Sequence, residues 1–83
     1  MPDKETIIGD IRRNDKEFTR VAIKEYKGYS YLDIRIYYKD ENGDDRFTSK
    51  GVTVKPISIG RLIDLLVMAR DELNKNNNSD SPY

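Results

Sequence analysis

The chain has 83 residues, 36% of them hydrophobic and 36% charged, with 15 basic and 15 acidic side chains and neither cysteine nor histidine. That leaves room for one domain, marginal as a monomer because so short a chain buries only about 60 to 65% of its unfolded surface. It also removes disulfides, thiolate metal sites and the usual bases near neutral pH. A formal net charge of zero argues against a protein that coats duplex DNA through bulk positive charge, so a nucleic-acid site must arise by local segregation of charge.

Taken in chain order, Met1 to Lys4 look untethered. Glu5 to Arg13, with one apolar pair and Gly9, reads as an irregular or bulged edge strand. Asn14 to Glu17 is a polar turn. From Phe18 to Tyr26, Phe18, Arg20, Ala22, Lys24 and Tyr26 alternate with Thr19, Val21, Ile23 and Glu25, one face basic and aromatic, the other apolar. Lys27-Gly28 suits a two-residue hairpin, because glycine accepts positive φ without steric cost.

The next strand repeats the pattern. Five of the six tyrosines fall between Tyr26 and Tyr38. Alternation sets Tyr29, Tyr31, Asp33, Arg35 and Tyr37 on one face and Ser30, Leu32, Ile34, Ile36 and Tyr38 on the other. Asp40 to Asp45 is an acidic turn with an Asn42-Gly43 hairpin signal. Its spacing does not match a calcium loop, since glycine comes too early and no glutamate stands at the bidentate position. Arg46 to Val54 returns as a strand, with Lys50-Gly51 marking a bulge or a close backbone approach.

A helix begins between Pro56 and Ser58. Its apolar residues, among them Leu62, Leu65, Leu66, Ala69 and Leu73, cover an arc of roughly 200°, about twice what packing on one sheet requires. The excess suits the same helix in a second subunit, so these five residues are expected to form a homodimer interface. The domain is placed at residues 5–74 and a disordered Asn- and Ser-rich tail at 75–83. No long apolar run or signal-like segment is present, which predicts a soluble intracellular protein, cytoplasmic or nucleoid-associated (nuclear in a eukaryote), with no membrane partner.

Without His, Cys, a phosphate loop or a dinucleotide fingerprint, an enzyme is not expected, and neither a cofactor nor a metal is implied. The remaining chemistry is that of a single strand, a π-face at every base and a charge at every phosphate. Tyr26, Tyr29, Tyr31 and Tyr37 suit the bases; Lys24, Lys27, Arg35, Arg46 and Lys50 suit the phosphates.

From Val21 to Leu73 the chain resembles, without gaps, the single-stranded-DNA-binding domain of the positive cofactor four family of transcriptional coactivators. The residues that carry the resemblance are Tyr26-Lys27-Gly28, Leu32-Asp33-Ile34-Arg35 with Tyr37-Tyr38, the acidic turn with Gly43, Lys50-Gly51-Val52 and Pro56. The segment before Phe18 looks more like the prokaryotic or phage members. The resemblance implies an α+β fold, a curved four-stranded antiparallel sheet followed by one C-terminal helix, homodimeric, with grooves for single strands. It implies nucleic-acid contacts at Lys24, Tyr26, Lys27, Arg35, Tyr38, Arg46 and Lys50, with Tyr38 stacking where the family has tryptophan, provided a bulge or sheet edge brings it to the groove. Tyr29 stands where the family has a basic residue and exchanges phosphate attraction for stacking. The implied partners are single-stranded DNA (or RNA, or melted duplex), a second copy, and transcription or replication machinery. The acidic regulatory extension of the eukaryotic protein is absent, so coactivator activity does not transfer with the domain.

Two other readings compete. Lys27 to Ile34 comes close to the octapeptide of the RNA-recognition motif, but that fold needs a strand, a helix and a strand ahead of it, and the 26 preceding residues show no helical period. A dimeric protein-interaction module is the other alternative, since Tyr and Arg are enriched at protein interfaces too.

Overall fold

A computed structural model describes residues 3–76. Four strands, β1 (Lys4–Arg12), β2 (Glu17–Tyr26), β3 (Tyr29–Lys39) and β4 (Asp45–Val54), precede one helix, α1 (Pro56–Asn76). The strands form one antiparallel sheet in sequence order, with β1 and β4 at its edges. The α+β expectation holds. The helix runs on to Asn76, past the boundary set at residue 74, because Asn and Lys are tolerated in a helix once it is nucleated. The rest of the expected tail, 77–83, lies outside the described residues.

Each turn has a local cause. In the β1–β2 turn the Asn14 carboxamide oxygen accepts from the backbone N–H groups of Lys16 and Glu17, both at 2.9 Å, an Asx turn. Between β2 and β3, Lys27 (φ 51°) and Gly28 (φ 83°) both adopt the left-handed region, the pair that a tight twisted hairpin requires. Between β3 and β4 the Asp40 carboxylate accepts from the N–H groups of Asn42 and Asp44, and Gly43 takes φ 83°. The loop is five residues long, since Lys39 pairs with Asp45.

Two irregularities shape the sheet. The β1–β2 register shifts between Ile7 and Gly9, as the bulged reading of that strand anticipated. On the other side Arg35 pairs with Gly51 but Tyr37 pairs with Phe47, so three residues of β4, Thr48, Ser49 and Lys50, stand against the single Ile36 while β3 alternates without a break. Gly51 sits where the chains come closest. A Cβ there would lie 2.7 Å from the Ile34 carbonyl oxygen and 2.9 Å from Arg35 Cβ. Gly51→Ala is therefore expected to destabilise the fold by about 1–3 kcal/mol; a thermal melt unchanged from wild type would contradict this close approach.

Little of the chain is deeply buried. Among the described residues the buried hydrophobics are Ala22, Leu32 and Tyr37, and the buried polar groups are Arg20, Lys24 and Asp33. All but Leu32 lie on the face of the sheet that carries bases and aromatics. The opposite face, with Val21, Ile23, Ile34 and Ile36, is only half-covered. The helix makes its principal contact with β3, and only Ile59 and Leu62 in its apolar arc are even half-buried. Cα extents of 42 × 36 × 18 Å describe a slab of one sheet and one helix.

Candidate nucleic-acid interface

The register assembles the charged face row by row. Tyr26 stands opposite Tyr29 at the hairpin end, then Lys24 opposite Tyr31, Ala22 opposite Asp33, Arg20 opposite Arg35 and Phe18 opposite Tyr37. Beside these rows β4 adds Thr53, Gly51 and Phe47, and β1 adds Glu5 and Asp10. A groove of about 630 Å³ opens along this face, bordered by Tyr31, Arg35, Tyr37 and Phe47. Both faces thus fall as the period-two reading of β2 and β3 sets them.

An ion-pair network floors the groove. Asp33, 2% exposed, receives Lys24 Nζ at 3.0 Å and Arg35 Nη2 at 3.1 Å, with Arg35 Nε at 3.2 Å. The remaining Arg35 nitrogen, Nη1, donates to the Thr48 carbonyl at 3.1 Å, tying the guanidinium to the β4 bulge. Arg20 donates to Asp10 at 2.8 Å and to Asp45 at 2.9 Å, its guanidinium 5.0 Å from the Phe18 ring centre and 4.8 Å from that of Tyr37. The bond to Asp10 raises the Arg20 pKa well above its ordinary value, against the opposing effect of burial. For Lys24 burial is the largest influence and disfavours the charge, yet the bonds to Asp33 and to the Tyr37 hydroxyl outweigh it and lift the ammonium above its usual range.

The expected contact residues are divided among several places. Tyr26 and Tyr29 lie exposed at the hairpin end, Tyr29 at 78%, with Lys27 exposed in the turn and its ammonium 5.3 Å from the Tyr26 ring centre. Lys24 and Arg35 sit inside the groove, their charges committed to Asp33 rather than open to phosphate. Lys50, exposed in the bulge, borders a second hollow of about 330 Å³ that Arg35 also lines. Tyr38 and Arg46 pair with each other across β3 and β4 on the opposite face. The bulge that was to swing Tyr38 toward the groove lies in β4, so β3 keeps Tyr37 on the groove side. Arg46 is bonded at 2.7 Å to Asp40, a bond that raises the guanidinium pKa and lowers that of the carboxyl.

Tyr37 differs from its expected role. Only 6% exposed, it stacks on Phe18 at 5.7 Å between centroids and carries Arg20 over its ring, so it is part of the groove floor. Two residues escaped the sequence reading of the site. Arg20, a member of the basic face, organises two acidic partners; Phe47 stands on the rim, 67% exposed. The signal for Phe47 was the register of the acidic hairpin, which alternation within one strand does not supply.

The model of the Transcriptional Coactivator p15 (PC4) family matches residues 14–65. Among solved structures, a PC4 homolog from Burkholderia pseudomallei is similar at 26% identity and a TM-score of 0.75, over 82% of this chain and 92% of that one. Its tetragonal crystal form gives 25% identity and a TM-score of 0.74, over 81% and 98% of the two chains. The bacteriophage T5 homolog of the eukaryotic transcription coactivator PC4, implicated in recombination-dependent DNA replication, shares the fold at 19% identity and a TM-score of 0.66, over 84% and 83%. Among curated proteins none matches the chain. With one family model matched over more than half of the sequence and the same sheet-and-helix fold in a bacterial homolog, the chain belongs to the Transcriptional Coactivator p15 (PC4) family.

Proposed function

We propose that the protein binds single-stranded DNA with little sequence preference, as a homodimer, through the hairpin end and groove face of each sheet, in transcription regulation or in DNA replication and repair. The observation that carries this reading is the hairpin end: two exposed tyrosines face each other across the turn, and the lysine between them holds its ammonium 5.3 Å from one ring. Rings there take bases; the cation takes the adjoining phosphate. Lys27 and Lys50 are exposed, and Arg46, 57% exposed beside a half-buried Asp40, adds a cation at the β4 edge on the opposite face. Lys24 and Arg35 act differently: held by Asp33, they shape the groove and offer base edges a polar floor. The functional unit is the 5–74 segment with α1 extended to Asn76.

What the single chain leaves uncovered supports the dimer. Leu65, Leu66, Ala69 and Leu73 are exposed on α1, and the valines and isoleucines of the sheet's apolar face are only half-covered; exposed apolar side chains grouped in this way mark an interaction surface. A second copy of the same face covers it by symmetry.

The test is the anisotropy of fluorescein-labelled dT12 over a range of salt. Affinity is expected to fall linearly on logarithmic axes, with much weaker binding to duplex. Lys27→Ala should reduce the slope by about one, whereas Tyr29→Ala should lose about 1–3 kcal/mol at unchanged slope. Absence of dT12 binding at low salt would hand the site to the protein-interaction reading, and a preference for an RNA 12-mer would make RNA the ligand.

A further inference from the structure

Two rings that border the groove, Tyr31 and Phe47, have no task in the proposed function, and Phe47 is the more exposed of them. It is exposed at 67%, second only to Tyr29 among the described aromatic residues, and joins no ring stack or cation–ring contact among them. Its position is fixed from both sides: it pairs with Tyr37 across β3 and β4, and the bulge between Thr48 and Lys50 separates it from the close packing at Gly51. Tyr37 is turned into the floor, so Phe47 is the ring that faces outward at this end of the groove.

The groove between the two ends has a definite chemistry. Its lining cations, Arg20, Lys24 and Arg35, are matched by Glu5, Asp33 and Asp45, paired with one another at 2.9 to 3.7 Å. A floor whose charges cancel attracts no phosphate, but its donors and acceptors suit the polar edges of unpaired bases. From Tyr29 to Tyr37, beside Phe47, is eight residues of β3, or about 26 Å at about 3.3 Å per residue.

We infer that Phe47 is a second base-stacking station, at the far end of the groove from the tyrosine hairpin, and that one unpaired strand lies along β3 between the two with bases inward and phosphates outward. This rests on the single-stranded-DNA reading and extends it by assigning the path of the strand. An oligonucleotide too short to span about 26 Å engages one station; a longer strand engages both.

The protein contains no tryptophan, so Phe47→Trp places a single fluorescent reporter at the station while keeping a ring there. Its emission is expected to be quenched as dT12 is added, with the midpoint given by the anisotropy of labelled dT12. Phe47→Ala is expected to weaken dT12 binding about tenfold at unchanged salt slope and to affect dT4 much less. Both variants should melt as wild type does, since the side chain is exposed. Normal dT12 binding with unchanged emission, or wild-type affinity in Phe47→Ala, overturns the station and leaves the binding reading standing. Emission already shifted to the blue without oligonucleotide, and unmoved by it, assigns the ring to a contact between copies and overturns the station too. Failure of the wild-type protein to bind dT12 removes both.

Discussion

Asp33→Ala is expected to unfold the protein or leave it barely folded. The carboxylate is the most buried of the described charged groups and the common partner of Lys24 and Arg35, whose side chains are only 11% and 18% exposed. Truncation takes the shared carboxylate from both cations, leaving Lys24 to Glu5 at 3.7 Å and Arg35 to the Thr48 carbonyl, and breaking a buried pair in this way costs about 3–5 kcal/mol. Total stability for a chain of this length is about 4–12 kcal/mol, so the loss is a large part of the whole. Urea denaturation reads the effect as a collapse of the midpoint. A second substitution locates the cause: Lys24→Met in the Asp33→Ala background should recover part of the loss, because an apolar side chain of similar volume carries no unpaired charge. A midpoint within error of wild type for Asp33→Ala would show that the network contributes nothing to the fold.

The second large effect is expected at Leu66→Asp. Leu66 is 57% exposed in the single chain and central to the arc proposed to join two copies. Symmetry doubles the insult, placing two unpaired carboxylates in one interface, each with a desolvation penalty of several kcal/mol. Sedimentation should show the wild type as a dimer at micromolar concentration, with a melting temperature that rises with protein concentration. The variant should sediment as monomer or lose its structure. An intact, equally stable Leu66→Asp dimer would move the interface off this helix face.

How much of this was legible in the sequence depended on whether one strand sufficed to read it. Alternation within β2 and β3 placed Lys24, Tyr26, Tyr29 and Arg35 on a common side, and the Lys27-Gly28 turn then aligned the two strands. Depth of burial was not legible. Period two tells which side a residue faces but not which of two sides is covered, and here the side with Arg20, Asp33 and Tyr37 is the tighter one. Phe47 shows the same limit. A two-residue Asn42-Gly43 loop would pair Phe47 with Tyr38 on the apolar side, whereas the five-residue loop organised by Asp40 pairs it with Tyr37, and a shift of one residue exchanges the faces. Tyr38 was placed by resemblance and depended on where the bulge fell. The bulge belongs to β4, where Gly51 had marked it, and β3 passes it undisturbed. α1 runs two residues past the boundary that composition suggests, because composition alone describes a run of Asn and Lys as a tail, while a helix already nucleated carries such residues onward.

The backbone at Lys27 has a bearing on how this family member is tuned. A lysine held at φ 51° occupies a region where glycine or asparagine is more comfortable, at a cost of about 1 kcal/mol or more for a side chain with a Cβ. The hairpin therefore gives up local ease to keep an ammonium at its outermost point, and any engineering aimed only at heat resistance would be drawn to that residue first and would remove the cation proposed to meet the first phosphate of a bound strand.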